Sequence, residues 1–163
     1  MDHRQLVKTL AQLATDQRLL IATAESCTGG WVAQELTAQA GSSDWFECGF
    51  VTYSNEAKTR MLGVPEALFI SDGAVSEAVV KAMAQGAVDN SRATLSVSIS
   101  GVAGPGGGTP EKPVGMVWMA WYFEGREVQS RCFRFSGDRH SVRQSAVKEA
   151  LKGLIKQLTK NTV

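Results

Sequence analysis

The chain has 163 residues, 44% of them hydrophobic, which is enough to bury one sizeable core and hardly two, so a single domain spanning 1–163 is expected. A formal net charge of +1 with 20% charged residues excludes both the basic excess of a nucleic-acid-binding surface and the acidic bias of a solvating tail. No run approaches the ~20 apolar residues of a membrane span, and the polar start Met1-Asp-His-Arg-Gln5 holds no apolar leader, so a cytoplasmic protein is expected.

In chain order, Leu6, Val7, Leu10, Leu13 and Ala14 recur at three and four and predict an opening amphipathic helix. Leu19 to Ala24 reads as the first strand. The stretch Thr23-Ala-Glu-Ser-Cys-Thr-Gly-Gly30 follows it and leads into a helix carrying Trp31, Val32, Leu36 and Ala40, which stops at Gly41-Ser-Ser-Asp44. Trp45 to Tyr53 is the second strand, with Phe46, Cys48 and Phe50 alternating. Ser54 caps a short helix through Leu62, Gly63 and Pro65 end it, and another helix follows. Past Ala74 and Val75, Ser76 opens a helix with Val79, Val80, Met83, Ala87 and Val88 on one face. Thr94 to Ser100 alternates between Leu95, Val97, Ile99 and Ser96, Ser98, Ser100. That pattern predicts a half-buried strand whose small polar face lies against a helix or lines a site.

Gly101 to Gly115 is the longest loop, and loops of that length in a compact domain tend to be functional. Met116 to Phe123 and Glu127 to Phe135 flank Glu124-Gly-Arg126, a hairpin signal that requires an antiparallel pair. From Ser141 a long closing helix carries Val142, Val147, Leu151, Leu154, Ile155 and Leu158. Lys148, Lys152, Lys156 and Lys160 form a row on another of its faces, read as solvated surface. The fold class is therefore α/β: a three-layer α/β/α domain with a mixed, mostly parallel sheet and one antiparallel hairpin.

A strand that ends in a hydroxyl, a thiol and paired glycines at a helix start suits chemistry, because glycine admits close backbone approach and a first helical turn offers N–H groups to negative charge. Ser26 stands where a nucleophile would be useful, although Thr28 could equally be a plain cap. Three widely spaced cysteines, Cys27, Cys48 and Cys132, argue for reduced thiols rather than a disulfide framework or zinc site. With only His3 and His140 present, a base other than histidine is expected for Ser26. Tyr53 and Lys58, at the end of the second strand, share a cleft with Ser26 if the two strands are parallel neighbours. Lys58 would need a pKa well below ~10.4, and its alternative is an ordinary solvated lysine.

Six blocks then occur in order: T-A-E-S-C-T-G-G (23–30), G-F-V-T-Y-S-N-E-A-K (49–58), G-A-V-S-E (73–77), S-G-V-A-G-P (100–105), K-P-V-G (112–115) and S-G-D-R (136–139). Together they make the chain similar to the CinA C-terminal domain family over nearly its whole length. The resemblance implies hydrolysis of the carboxamide of nicotinamide mononucleotide to nicotinate mononucleotide and ammonia, a step of the pyridine nucleotide cycle, with no cofactor and no metal. It implies Ser26 as nucleophile, with Tyr53 and Lys58 as its activating partners.

Backbone N–H groups around Thr28, Gly29 and Gly30 are then candidates for the oxyanion, Arg139 for the phosphate, with a surface ion pair to Asp138 or Glu149 as its alternative, and the loop from Ser100 through Gly101 and Gly104 to Gly108 for the nucleotide. Glu25 is either an orienting group or a carboxylate facing the pyridinium. Gly106 stands where active relatives are expected to carry a more polar side chain. Two rivals are a regulatory nucleotide-binding module without turnover, and a Cys27 nucleophile with His140 as base. The expected assembly is a homo-oligomer, a dimer first, for which Trp118, Met119 and Trp121 offer apolar surface unless they pack in the core.

Overall fold

The computed structural model describes residues 1–160, so the last three positions of the expected 1–163 unit lie outside the described residues. Its elements are α1 (His3–Asp16), β1 (Ile21–Glu25), α2 (Trp31–Thr37), β2 (Phe46–Val51), α3 (Asn55–Leu62), α4 (Glu66–Ser71), α5 (Glu77–Asp89), β3 (Leu95–Gly101), β4 (Met116–Phe123), β5 (Gln129–Arg134) and α6 (Arg139–Thr159). A single 3₁₀ turn, Ser42–Asp44, precedes β2. Local chemistry sets the helix starts. Asp2 and Gln5 cap α1 reciprocally, and Ser54, Ser76 and Asp138 accept an N–H of the first turn of α3, α5 and α6.

The strands lie in the order β2-β1-β3-β4-β5. β1 is parallel to both its neighbours, whereas β4 is antiparallel to β3 as well as to β5. The expected hairpin is present, and the loop after β3 creates a second antiparallel pair that the pattern of residues did not specify. Helices α1, α2 and α6 cover one face, with Leu10, Leu36, Val147, Leu151 and Leu154 packed on Ile21, Leu95, Val97 and Ile99. The opposite face is covered by α3, α4 and α5, whose Leu62, Val79, Val80 and Met83 meet Ala22, Ala24 and Ala120. The result is the anticipated three-layer α/β/α arrangement, with strand ends shifted by a residue or two from the sequence estimate.

One expectation is corrected and one open alternative is decided. β3 is buried on both faces rather than half-buried, because Ser96 and Ser98 donate to the Ala84 and Val80 carbonyls of α5, and Ser100 to the Ala74 carbonyl before it. Each buried hydroxyl thus has an acceptor, which is what makes its burial tolerable. Met119 and Trp121 do not form an apolar surface near the hairpin. They are core residues, and the Trp121 indole donates to the Ala150 carbonyl, while Trp118 packs partly buried on the other face.

Register brings the site together. Glu25 pairs with Val51 on one side and Ile99 on the other, so β1, β2 and β3 end level with one another. The ladder runs one step further, through Ser26 N–H to the Ile99 carbonyl and Thr52 N–H to the Glu25 carbonyl. Between β1 and β3 the chain direction of build-up reverses, and the crevice at such a switch point is where open α/β sheets bind ligands. Ser26 follows β1 at that point.

Candidate active site

The turn from Ser26 to Gly30 is held by the carboxylate just before it. Glu25 is fully buried, and its Oε1 accepts from the Thr28 hydroxyl at 2.7 Å and the Val32 N–H at 2.9 Å, while Oε2 accepts from the Ala33 N–H at 3.0 Å. Helix α2 begins at Gly30, which has no side chain to cap it, so Glu25 performs the capping from the strand end. Of the two sequence readings of Glu25, this contact set is the orienting one. Gly29 and Gly30 carry φ of +60° and +102°, backbone that a side chain would strain, and Gly30 abuts Val51.

Within that turn the Gly29 N–H bonds to the Ser26 carbonyl and the Trp31 N–H to the Thr28 carbonyl. The Cys27 N–H bonds its own sulfur, whereas the N–H groups of Thr28 and Gly30 donate to no protein acceptor among the described residues. They are therefore open to a ligand oxygen.

Lys58, on the first turn of α3, reaches under the strand ends to Ser26. Its Nζ donates to Ser26 Oγ at 3.1 Å and to the Tyr53 carbonyl at 3.0 Å, and the same carbonyl lies 3.5 Å from Ser26 Oγ. Lys58 is only 1% exposed, and no carboxylate forms an ion pair with it among the described residues. Burial pulls its pKa below the usual lysine value. An amine shifted that way is available as a base, since deprotonation removes a charge that the site solvates poorly.

Tyr53 contributes differently from what its neighbours in sequence suggest. Its carbonyl touches Ser26 and Lys58, whereas its phenol accepts from Arg139 Nη2 at 3.3 Å, and the residue as a whole is 62% exposed. Arg139 Nη1 donates to the Gly104 carbonyl at 2.7 Å. Tyr53, Gly104 and Arg139 thus meet at the mouth of the crevice, with the exposed side chain of Val51 beside Gly30.

Gly101 closes β3 against Val117, and the loop beyond it holds a cis Gly104–Pro105 bond and is tied to Arg139 through the Gly104 carbonyl. Ser100 is buried, its hydroxyl engaged with the Ala74 carbonyl. Gly106 has open space where a Cβ would lie.

Sequence reasoning missed Arg143. From α6 its Nε donates to the Cys27 carbonyl at 3.0 Å and its Nη2 to the Thr28 carbonyl at 3.1 Å. The only available signal was its place four residues after Arg139, on the same side of the helix.

The rival nucleophile is poorly placed. Cys27 is 6% exposed and burial raises its thiol pKa to about 11, leaving little thiolate at neutral pH. His140 lies against the Trp31 ring, 5.4 Å between centroids, and makes no hydrogen bond to Cys27. Among the described residues no group of three His, Cys, Asp or Glu side chains could hold a metal, and no helix is long and apolar enough to cross a membrane.

A serine hydroxyl against a buried amine without an acid partner, at the switch point of an open sheet, places the protein among α/β proteins with a Ser–Lys pair. That pair can deliver an activated oxygen to a carbonyl carbon. The chain belongs to the CinA C-terminal domain family, whose match covers residues 3–158. It is 52% identical over 158 residues to nicotinamide-nucleotide amidohydrolase PncC of Escherichia coli K12, covering 97% of this chain and 96% of that protein. It is 56% identical over 135 residues to PncC of Pseudomonas putida, covering 83% and 84%. The CinA-like protein of Akkermansia muciniphila is 51% identical over 97% of this chain, but the chain spans only 38% of that protein's length. Among solved structures, the competence/damage inducible protein CihA of Agrobacterium tumefaciens superposes with a TM-score of 0.94 at 42% identity, covering 98% of this chain and 96% of that one.

Proposed function

We propose that the protein is a nicotinamide-nucleotide amidohydrolase, converting nicotinamide mononucleotide to nicotinate mononucleotide and ammonia in the pyridine nucleotide cycle. The observation that carries this reading is the 3.1 Å contact between Lys58 Nζ and Ser26 Oγ, in a chain 52% identical to a protein of that name along nearly its full length. In its neutral form Lys58 takes the Ser26 proton as Oγ attacks the carboxamide carbon. Charge collects on the former carbonyl oxygen, which the open N–H groups of the 27–30 turn, those of Thr28 and Gly30, receive; Gly29, whose N–H closes the turn on the Ser26 carbonyl, shapes it. The Lys58 ammonium then protonates the departing nitrogen, the C–N bond breaks, and ammonia leaves an ester on Ser26. Water, deprotonated by the same amine, hydrolyses that ester and restores Ser26.

Tyr53 supplies the carbonyl that orients the amine, and its exposed ring offers a face to the cationic pyridinium. Arg139 is the proposed phosphate ligand, since its guanidinium fork stands at the mouth of the crevice with a carbonyl and a phenol as its partners. The segment from Ser100 and Gly101 to Gly104 forms the wall along the nucleotide. A cytoplasmic homodimer acting as one domain completes the reading, and activity belonging to the remainder of the longer relatives is not transferred.

Ammonia release from nicotinamide mononucleotide by the purified protein, with the product identified by mass, tests the proposal. Turnover is expected in the wild type and a loss on the order of a thousandfold or more in Ser26→Ala. Saturable binding of the nucleotide without ammonia would overturn catalysis in favour of the regulatory module.

A further inference from the structure

The oxyanion donors of the 27–30 turn are N–H groups, and an N–H points where its peptide plane points. In a trans peptide the C=O and N–H are antiparallel, so fixing the carbonyl fixes the direction of the next residue's N–H. The Cys27 carbonyl is held by Arg143 Nε at 3.0 Å, which turns the Thr28 N–H away from α6; that N–H has no protein acceptor among the described residues. The Thr28 carbonyl is held by Arg143 Nη2 at 3.1 Å, which turns the Gly29 N–H toward the Ser26 carbonyl it bonds at 3.0 Å. One planar guanidinium therefore braces two successive peptide planes beside the serine, the first of them alone and the second together with the Trp31 N–H, which also bonds the Thr28 carbonyl.

Nothing else on α6 reaches these carbonyls, and no carboxylate forms an ion pair with Arg143 among the described residues. The guanidinium carbon also lies 5.6 Å from the centre of the Trp31 ring. Opposite it, Glu25 grips the N–H groups of Val32 and Ala33 and the Thr28 hydroxyl. The turn is clamped by an anion on its N–H side and by a cation on its carbonyl side, leaving the Thr28 N–H between them.

We infer that Arg143 is a positioning residue that aims the Thr28 N–H at the developing oxyanion, an assignment that rests on the amidohydrolase reading of the same site. Arg143 does not touch the substrate; it acts through the backbone. A positioning role of this kind appears in kcat, because the oxyanion exists only in the transition state, while substrate affinity is left alone. A lysine cannot replace it, since a single ammonium lacks the planar fork that spans two carbonyls.

The test compares Arg143→Ala and Arg143→Lys with the wild type on nicotinamide mononucleotide, recording kcat, KM and thermal unfolding, and repeats Arg143→Ala with guanidinium ion at non-denaturing concentration. Expected are a fall in kcat on the order of a hundredfold in both variants with KM changed by less than about threefold, and partial recovery of the alanine variant by guanidinium. Full activity in Arg143→Lys would mean that charge alone matters and overturn the assignment. So would a rise in KM at constant kcat, or a loss that guanidinium does not relieve and that tracks unfolding. If the alanine variant does not fold, the lysine variant decides by its kcat. Wild-type protein that released no ammonia would sink the functional reading and this assignment with it, whereas an active wild type with unimpaired variants would sink this assignment alone.

Discussion

Replacing Lys58 separates chemistry from architecture. Its Nζ is the amine 3.1 Å from Ser26 Oγ, and both histidines lie elsewhere, His3 bonded to Glu35 and the Gln144 carbonyl and His140 packed on Trp31. Proton removal from the serine and proton delivery to the leaving nitrogen therefore pass through one group. General acid–base assistance contributes about 10²–10⁴-fold in rate, and with both transfers lost the upper end applies, so Lys58→Met is expected to lower kcat on the order of 10⁴-fold, about 5.4 kcal/mol. Lys58→Arg is expected to be as inactive, because a guanidinium keeps its proton and cannot serve as a base. Steady-state ammonia release at saturating nucleotide measures both. A loss of less than about tenfold in Lys58→Met, or activity retained in Lys58→Arg, would show that the lysine merely positions Ser26 and refute the base assignment.

The same lysine makes two pH predictions. Activity should rise with pH through a pKa below the ordinary lysine value, as the neutral amine forms, and a pH–rate profile of kcat/KM checks it; a flat profile would contradict it. Because the folded pKa lies below the unfolded one, the unfolded chain holds more protons between the two values, so wild-type stability rises with pH across that window. The Lys58→Met variant should lack that component in urea titrations. Cys27→Ala should keep most turnover, and the Cys27 thiol, with its pKa raised to about 11, should resist alkylation at neutral pH; rapid inactivation by a thiol reagent traced to Cys27 would revive the thiol nucleophile. Glu25→Ala leaves the Val32 and Ala33 N–H groups and the Thr28 hydroxyl without their acceptor, and should destabilise by about 3 kcal/mol, read as a lower urea midpoint; unchanged stability would remove the capping role. A Cβ at Gly153 would lie 2.0 Å from the Trp121 ring, so Gly153→Ala should cost about 2 kcal/mol and lower Tm by roughly 4–8 °C, and a neutral result would refute that packing.

What the sequence made legible was whatever carries a period or a punctuation mark. Leu6, Leu10 and Ala14 on α1, or Val79, Val80 and Met83 on α5, announce a helix face because burial imposes a spacing of three and four. Ser54, Ser76 and Gly63 mark helix ends through side chains or φ that have local causes. The serines of β3 were read as half-buried because alternation records which residues are polar, not whether a carbonyl of α5, or of the segment before it, waits opposite each hydroxyl.

In the site, Ser26 and Lys58 were reachable because each stands beside a strand end, and parallel strands bring those ends together. Glu25 and Arg143 were not assignable, since their partners are backbone N–H and C=O groups that look the same in every residue. The Tyr53 contribution was ambiguous for a related reason: its carbonyl faces Lys58, and a carbonyl leaves no trace in the identity of its residue.

The most direct test of the central claim is to mix protein and nicotinamide mononucleotide, quench with acid during turnover, and map covalent adducts by peptide mass spectrometry. The account predicts the nicotinoyl ester of the nucleotide on Ser26, absent in Ser26→Ala. An adduct on Cys27, or steady turnover in Ser26→Ala with no adduct anywhere, would contradict it.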